Sequence, residues 1–217
     1  MTITKNGFLQ TAFAIALVTA TAAPAAFASQ VLDQHQNAST GTNPINTNNG
    51  AAQTFTAGIS GSLTEMDFNI TSCCGGLGPL TVSLYGVSGG VPSGGVLAQQ
   101  SVSANGSGNI SAVNFSTPYF VTAGTEYAVV LTYSGNQNYF VAQNVTNGTD
   151  SYTGGTNLVW PYQYQSGWVN PGGGGYYADL EFQEYVTTAQ APEPSTWAML
   201  AGGVAVLFAK RRRKTAA

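Results

Sequence analysis

Short segments that alternate apolar and polar residues, separated by glycine-rich turns, recur along the middle of this chain. In residues 63–70, Met66, Phe68 and Ile70 fall on one face, while acidic and amide residues fall on the other. Such alternation indicates a strand with one buried face. Ten or so segments of this kind, with turns such as 171–175 and no useful helical periodicity, predict an all-β fold, an antiparallel two-sheet jelly-roll-like sandwich.

Two segments depart from this pattern. Residues 126–133 carry Tyr127, Val129 and Leu131 on one face and Val130 on the other, which is the apolar profile of a central strand. Residues 29–50 are polar, rich in Asn and without apolar periodicity. This second segment is interpreted as either an ordered edge or a loose N-terminal arm.

The two ends of the chain have the composition of targeting segments. The N-terminal segment has a positive charge at Lys5, then an apolar stretch, then Ala26-Phe27-Ala28. This order is typical of a secretory signal peptide with an A-x-A cleavage site. The apolar run 197–209 would make a helix of about 20 Å, shorter than the roughly 30 Å core of a bilayer. The predicted organisation is a signal peptide at 1–28, a polar segment at 29–50, a β-sandwich at 51–187, a proline-containing linker at 188–196, and a hydrophobic helix with a basic tail at 197–217.

The C-terminal segment resembles the PEP-CTERM sorting signal. The resemblance rests on Pro192-Glu193-Pro194-Ser195-Thr196-Trp197, the short apolar run and a terminal basic cluster, formed by Lys210, Arg211, Arg212, Arg213 and Lys214. It implies a Gram-negative bacterium that makes an exopolysaccharide, and processing near Pro192, Glu193 and Pro194 by an exosortase. The basic cluster is expected to stay on the cytoplasmic side. The protein would thus be held transiently in the inner membrane and then reach the cell surface or extracellular matrix. The alternative is an ordinary C-terminal membrane anchor.

A second resemblance covers roughly residues 50–186. The stretches 53–58 (QTFTAG), 80–85 (LTVSLY) and 121–127 (VTAGTEY), with a late tryptophan, are similar to choice-of-anchor β-sandwich domains of bacterial surface proteins. The resemblance implies a surface location and a sandwich fold, and it assigns no chemistry.

The predicted exported domain, residues 29–191, has an unusual charge composition. It contains no Lys or Arg, eight Asp and Glu residues, and a single histidine, His35. Nucleic-acid binding is excluded, because it requires basic side chains that displace counterions. A lone histidine also cannot build a Ser-His-Asp triad or a zinc cluster. The remaining Asn, Gln, Ser, Thr and Tyr side chains suit neutral partners such as sugars, or they simply keep the protein soluble.

An aromatic stretch is the candidate ligand site. Trp160, Tyr162, Tyr164 and Trp168 share one parity, so an extended segment would present a row of rings able to stack on sugars. Pro161 favours an edge position. The alternative is that these rings pack into the sandwich core.

Cys73 and Cys74 are the only cysteines. In an oxidising compartment they are expected to pair, although adjacent Cα atoms lie closer than disulfides prefer. A vicinal disulfide that stiffens the turn, pairing between chains, and free thiols are the three alternatives.

Carboxylates supply the last candidates. Glu65 with Asp67, and Asp179 with Glu181, stand two residues apart on single strand faces. Glycoside hydrolysis uses two carboxyl groups, but outward-facing carboxylates are usually solvated. A calcium site could draw on Asp33, Asp150, Asp179 or Glu181, although no Asp-rich loop motif accompanies them.

These patterns together favour a non-catalytic protein of the cell surface or exopolysaccharide matrix that contacts polysaccharide through aromatic side chains. A purely structural or adhesive matrix protein without a defined ligand is the alternative, and a glycan-acting hydrolase comes third. Apart from the calcium considered above, no cofactor is expected.

Overall fold

The computed structural model describes residues 28–74, 77–103, 109–160, 167–172 and 175–188. Every regular element in these ranges is a β-strand: β1 Ser29–Gln36, β2 Gly41–Ile45, β3 Gly50–Thr56, β4 Gly61–Ser72, β5 Leu80–Ser88, β6 Val91–Val102, β7 Asn109–Val121, β8 Glu126–Thr132, β9 Tyr139–Asn147, β10 Asn157–Trp160, β11 Tyr176–Leu180 and β12 Phe182–Thr188. The predicted signal peptide and C-terminal helix lie outside the described residues.

The strands form two antiparallel sheets. The seven-stranded sheet has the order β1-β12-β4-β9-β11, with β2 added on β9 and β7 added on β4. The five-stranded sheet has the order β10-β3-β8-β5-β6. The predicted all-β class with two antiparallel sheets is therefore confirmed. The finer assignment to a jelly-roll connectivity stays a prediction.

The main core lies between the two sheets. Met66, Phe68 and Ile70 of β4 are buried there, as their alternation predicted. Across the interface the rings of Phe55 and Phe182 lie with centroids 6.4 Å apart. Aromatic pairs at this separation add packing specificity to the area that they bury. These contacts join the faces of the two sheets.

Strand β8 is the middle strand of the five-stranded sheet. Val129 and Leu131 enter the main core, whereas Val130 packs with Ala52 and Leu158 in a smaller cluster on the other face of the sheet. The prediction of a central strand with apolar residues on both faces is confirmed.

The polar segment 29–50 is ordered and contributes to the seven-stranded sheet. β1 pairs with β12, and β2 pairs with β9. The interpretation as an edge is correct and that of a loose arm is wrong, because backbone pairing orders this segment despite its weak apolar pattern. The predicted domain limits stay predictions.

No strand of the described chain carries a Lys or Arg side chain. Buried acidic groups there must therefore be stabilised by amides, hydroxyls and backbone N–H groups, or by protonation. Within the described ranges, no helix is long and apolar enough to cross a membrane.

Candidate functional site

Two tryptophans lie side by side on the outer face of the five-stranded sheet. Val159 and Val169 exchange backbone hydrogen bonds of 2.9 and 3.1 Å, which makes a narrow antiparallel ladder. Trp160 and Trp168 are therefore directly opposite each other, with ring centroids 5.9 Å apart and planes inclined by 53°. The Trp160 side chain is 41% exposed. Trp168 is half-buried, so the pair meets solvent mainly through Trp160.

The floor beneath the rings is apolar. A methyl group at Gly50 would lie 3.6 Å from the tip of the Trp168 ring. Trp168 also packs against the small outer cluster of Ala52, Val130 and Leu158. The Trp168 ring therefore lies at about van der Waals distance from the Gly50 position of β3. The rings thus stand beside a shallow, uncharged surface.

The aromatic row predicted from parity is only partly described. Trp160 and Trp168 lie on the outer face of the sheet, so they do not pack in the core between the sheets. They meet as a cross-strand pair and not as members of one extended strand, because β10 ends at Trp160 and the chain returns at Val169. Tyr162 and Tyr164 lie outside the described residues, as does Pro161.

The cysteine pair forms a disulfide between neighbouring residues. Cys73 and Cys74 are bonded, with Cα atoms 3.8 Å apart, and both residues are exposed. The Cys73 N–H donates to the backbone carbonyl of Asn138 at 3.0 Å. The disulfide lies in the turn that follows β4, remote in sequence from both tryptophans.

The first carboxylate pair lies on the outer face of the seven-stranded sheet. Glu65 Oε2 accepts a hydrogen bond of 3.0 Å from the Gln30 amide. Burial, followed by hydrogen bonding and charge repulsion from Glu65, raises the pKa of Asp67 to about 6. Asp67 Oδ1 is buried without a hydrogen-bond partner. Solvation of this pair is therefore incomplete, contrary to the expectation for an outward-facing pair.

Asp179 and Glu181, predicted as the second carboxylate pair, have separate environments. Asp179 is 1% exposed and accepts hydrogen bonds from Gln53 on the opposite sheet and from Ser151. Glu181 falls between β11 and β12 and accepts from Asn69 at 3.3 Å. The two carboxyl groups thus use different partners. Burial, partly offset by the Gln53 hydrogen bond, raises the pKa of Asp179 to about 6. The expectation that Asp179 faces water is wrong, because the Gln53 amide draws it inward.

Four acidic residues lie close to Tyr152, and we define Asp33, Asp150, Asp179 and Glu184 as the acidic cluster. Asp179 and Glu184 are buried, whereas Asp33 and Asp150 are half-buried. Burial and the charges of Glu184, Asp179 and Asp33 raise the pKa of the Tyr152 hydroxyl, which donates to Gln34 at 3.0 Å. Sequence reasoning missed Glu184. A signal was present, since Glu184 has the same parity as the buried Phe182 and Val186.

Glu184 is the least accommodated member of this cluster. Its side chain is fully buried, and neither carboxyl oxygen has a hydrogen-bond partner that satisfies it. Burial, with a smaller effect of the Asp33 carboxyl, raises the pKa of Glu184 to about 8, while the backbone of Gln34 acts in the opposite direction. The group is therefore expected to be protonated at neutral pH.

The predicted calcium ligands are only partly brought together. Asp33, Asp150 and Asp179 all approach Tyr152 or Ser151, whereas Glu181 is engaged with Asn69. Over the ranges that the structure describes, no group of three His, Cys, Asp or Glu side chains is arranged to hold a metal ion. This arrangement therefore gives no support to the predicted calcium site.

Comparison with known protein families decides the nature of the C-terminal segment. The model of the PEP-CTERM protein-sorting motif matches residues 190–214. The chain carries a PEP-CTERM sorting motif. This motif implies export, a membrane-anchored sorting stage, processing by an exosortase, and delivery to the cell surface. Pro192, Glu193 and Pro194, and the basic residues Lys210 to Lys214, lie within the matched segment and outside the described residues.

Comparisons over the rest of the chain give less. No curated protein sequence matches it. One similar solved structure contains the cysteine protease and lectin-like domains of Cwp84, a surface layer associated protein of Clostridium difficile, with a TM-score of 0.46 and 17% sequence identity. The match covers 73% of this chain and 36% of that chain. The resemblance to choice-of-anchor domains stays a prediction.

Proposed function

We propose that this protein is a non-catalytic component of the cell surface or exopolysaccharide matrix of a Gram-negative bacterium, and that it binds polysaccharide through Trp160 and Trp168. The observation that carries the proposal is the ring pair on the outer sheet face, with Trp160 exposed and Trp168 half-buried beside it. Aromatic rings with one face in solvent can stack on the apolar face of a pyranose. The PEP-CTERM motif supports the location.

The surroundings of the pair favour a neutral ligand. Around the tryptophans, the side chains on this face of β3, β5 and β8 are small, apolar or hydroxylated, as with Ala52, Ser83 and Val130, and the one carboxylate on the face of β8, Glu126, lies at the far end of the strand, opposite Thr56. With no Lys or Arg in any described strand, a phosphorylated or sulfated glycan would find no countercharge. Neutral hexose polymers are therefore the ligands that fit this surface best.

The binding test compares matched aromatic truncations. Truncating a central aromatic contact typically costs more than about 1.4 kcal/mol, a tenfold change in affinity. Trp168→Ala should therefore lose about tenfold or more in affinity for neutral oligosaccharides by calorimetry. Phe120→Ala is the control, because Phe120 is an exposed ring on the other sheet. Equal affinities of the two variants, or no binding by the parent protein to any neutral glycan tried, would sink the proposal.

Sorting is tested separately. Replacing Pro192, Glu193 and Pro194 together by alanine should leave an unprocessed precursor in the membrane fraction, detected by its greater mass. The matched control replaces Ser195 and Thr196, which lie between that tripeptide and the apolar run. Normal processing of the triple variant would refute the role of these three residues.

A further inference from the structure

A second concave surface lies on the outer face of the seven-stranded sheet, opposite to the sheet that carries the tryptophans. It is a groove of about 370 Å³. Its polar lining residues are Asn37, Asp67, Asn69, Ser111, Glu181 and Gln183. A volume of this order is within the usual range of sites for small ligands.

Irregularities of the backbone open the groove on both sides of β4. On one side, the ladder between β4 and β7 shifts register between Asp67 and Ile70. On the other side, Glu181 separates β11 from β12, so pairing of β12 with β4 begins only at Phe182. Bulges and strand breaks of this kind redirect side chains. Here they aim two carboxyl groups into one concavity.

The groove lacks positive charge. Asp67 has one buried oxygen without a partner, and repulsion from Glu65 contributes to its raised pKa. Glu181 lines the same space. No described strand carries Lys or Arg, and the basic side chain nearest in register is the exposed imidazole of His35, which lies opposite Gln183. An anionic ligand would be repelled, and a cationic group in the groove would be attracted by the two carboxyl groups.

Amide side chains around the carboxyl groups are held in position by one another. Gln183 donates to Asn37 Oδ1 at 3.0 Å and accepts from the Tyr185 hydroxyl at 2.6 Å. Asn69 donates to Glu181 at 3.3 Å. Positioned amides suit a ligand with several hydroxyl groups, since each amide combines donor and acceptor atoms. A simple polyamine would leave this part of the lining unused.

We propose that the groove binds a glycan segment that bears a free amino group, with the ammonium against Asp67 and Glu181 and the sugar hydroxyls on the surrounding amides. The site is distinct from the tryptophan face, because the two lie on different sheets. Its ligand is a basic amino sugar, whereas the tryptophan face takes neutral sugars.

The test uses a β-1,4-linked glucosamine tetramer and its fully N-acetylated counterpart, titrated into the purified full-length protein. The amino form should bind at least about tenfold more tightly, and its affinity should fall with added salt. Asp67→Asn and Glu181→Gln should each remove about tenfold of this affinity. Glu126→Gln removes the same charge from an exposed position on the other sheet and should change nothing.

Three results would overturn the proposal. They are equal binding of the acetylated tetramer, full affinity in both groove variants, and spermidine binding as tightly as the amino tetramer, which would reduce the effect to bulk charge. Thermal unfolding of each variant shows whether it is folded. Since two separate substitutions are used, failure of one to fold leaves the other to decide. Trp168→Ala should bind the amino tetramer normally, so this proposal and the tryptophan proposal fail independently.

Discussion

Replacing Glu184 by glutamine should stabilise the domain at neutral pH. The carboxyl group is fully buried without a satisfying partner, and its pKa is raised from 4.5 to about 8. Between these two values the folded state holds a proton that the unfolded state releases. Its contribution is therefore fully present below pH 4.5 and is lost as the pH rises through about 8.

The magnitude follows from the width of that interval. Each pKa unit corresponds to about 1.4 kcal/mol, so ionisation of this group in the unfolded state lowers stability by about 3 kcal/mol between pH 4.5 and pH 7. Glutamine has nearly the same shape and does not titrate. The stability difference between Glu184→Gln and the parent protein should thus grow by about this amount over the same pH range.

Urea unfolding followed by tryptophan fluorescence measures this difference at pH 4.5, 6, 7 and 8. Asp67 and Asp179 also have raised pKa values, but both are present in parent and variant, so the comparison isolates Glu184. Glu126→Gln is the control and should stay within about 0.5 kcal/mol of the parent. Parallel pH profiles for the parent and Glu184→Gln would refute the reasoning.

Three further predictions concern the core and the turns. Gln53→Ala should destabilise the domain by about 2–4 kcal/mol in urea unfolding, because it removes one of the two donors to Asp179 and the acceptor of the Leu180 N–H. Gln99→Ala, at an exposed position, should cost less than about 1 kcal/mol. Gly155→Ala should cost more than about 2 kcal/mol, since a methyl group there would lie 1.8 Å from the Thr54 carbonyl oxygen, and Gly41→Ala, in open space, should be nearly neutral; similar unfolding midpoints would contradict this. The Cys73–Cys74 disulfide joins neighbouring residues and therefore closes no chain loop of consequence. Reducing it should lower the thermal midpoint by less than about 2 °C, and a larger fall would show that the turn supports the fold.

The features most readily predicted from the sequence were the buried faces of single strands. The buried face of β4 and the two-sided burial of β8 follow directly from side-chain parity, because each is a property of one strand. For the segment that contains β1, the sequence left two alternatives open, an ordered edge and a loose N-terminal arm. The backbone of β1 bonds to β12, more than a hundred residues later, and residue pattern does not specify that pairing.

The site residues were harder to place, because their environment comes from other strands. The residue pattern predicts that the Asp179 side chain points outward, yet it is buried and accepts a hydrogen bond from the Gln53 amide on the opposite sheet. Trp160 and Trp168 meet because Val159 and Val169 pair, a register that depends on the connection between them. The groove requires a shift in one ladder and a break in another, and neither has a residue signature in this chain.

The absence of Lys and Arg from all twelve strands has a practical consequence for the fate of the domain outside the cell. Trypsin-like proteases cleave after these two residues, and none occurs between positions 6 and 209. Such proteases can cut this chain only near its ends, even when the sheets open transiently. Reagents that couple to amines likewise find no lysine on the domain, so they can label or immobilise it only through an N-terminal α-amino group.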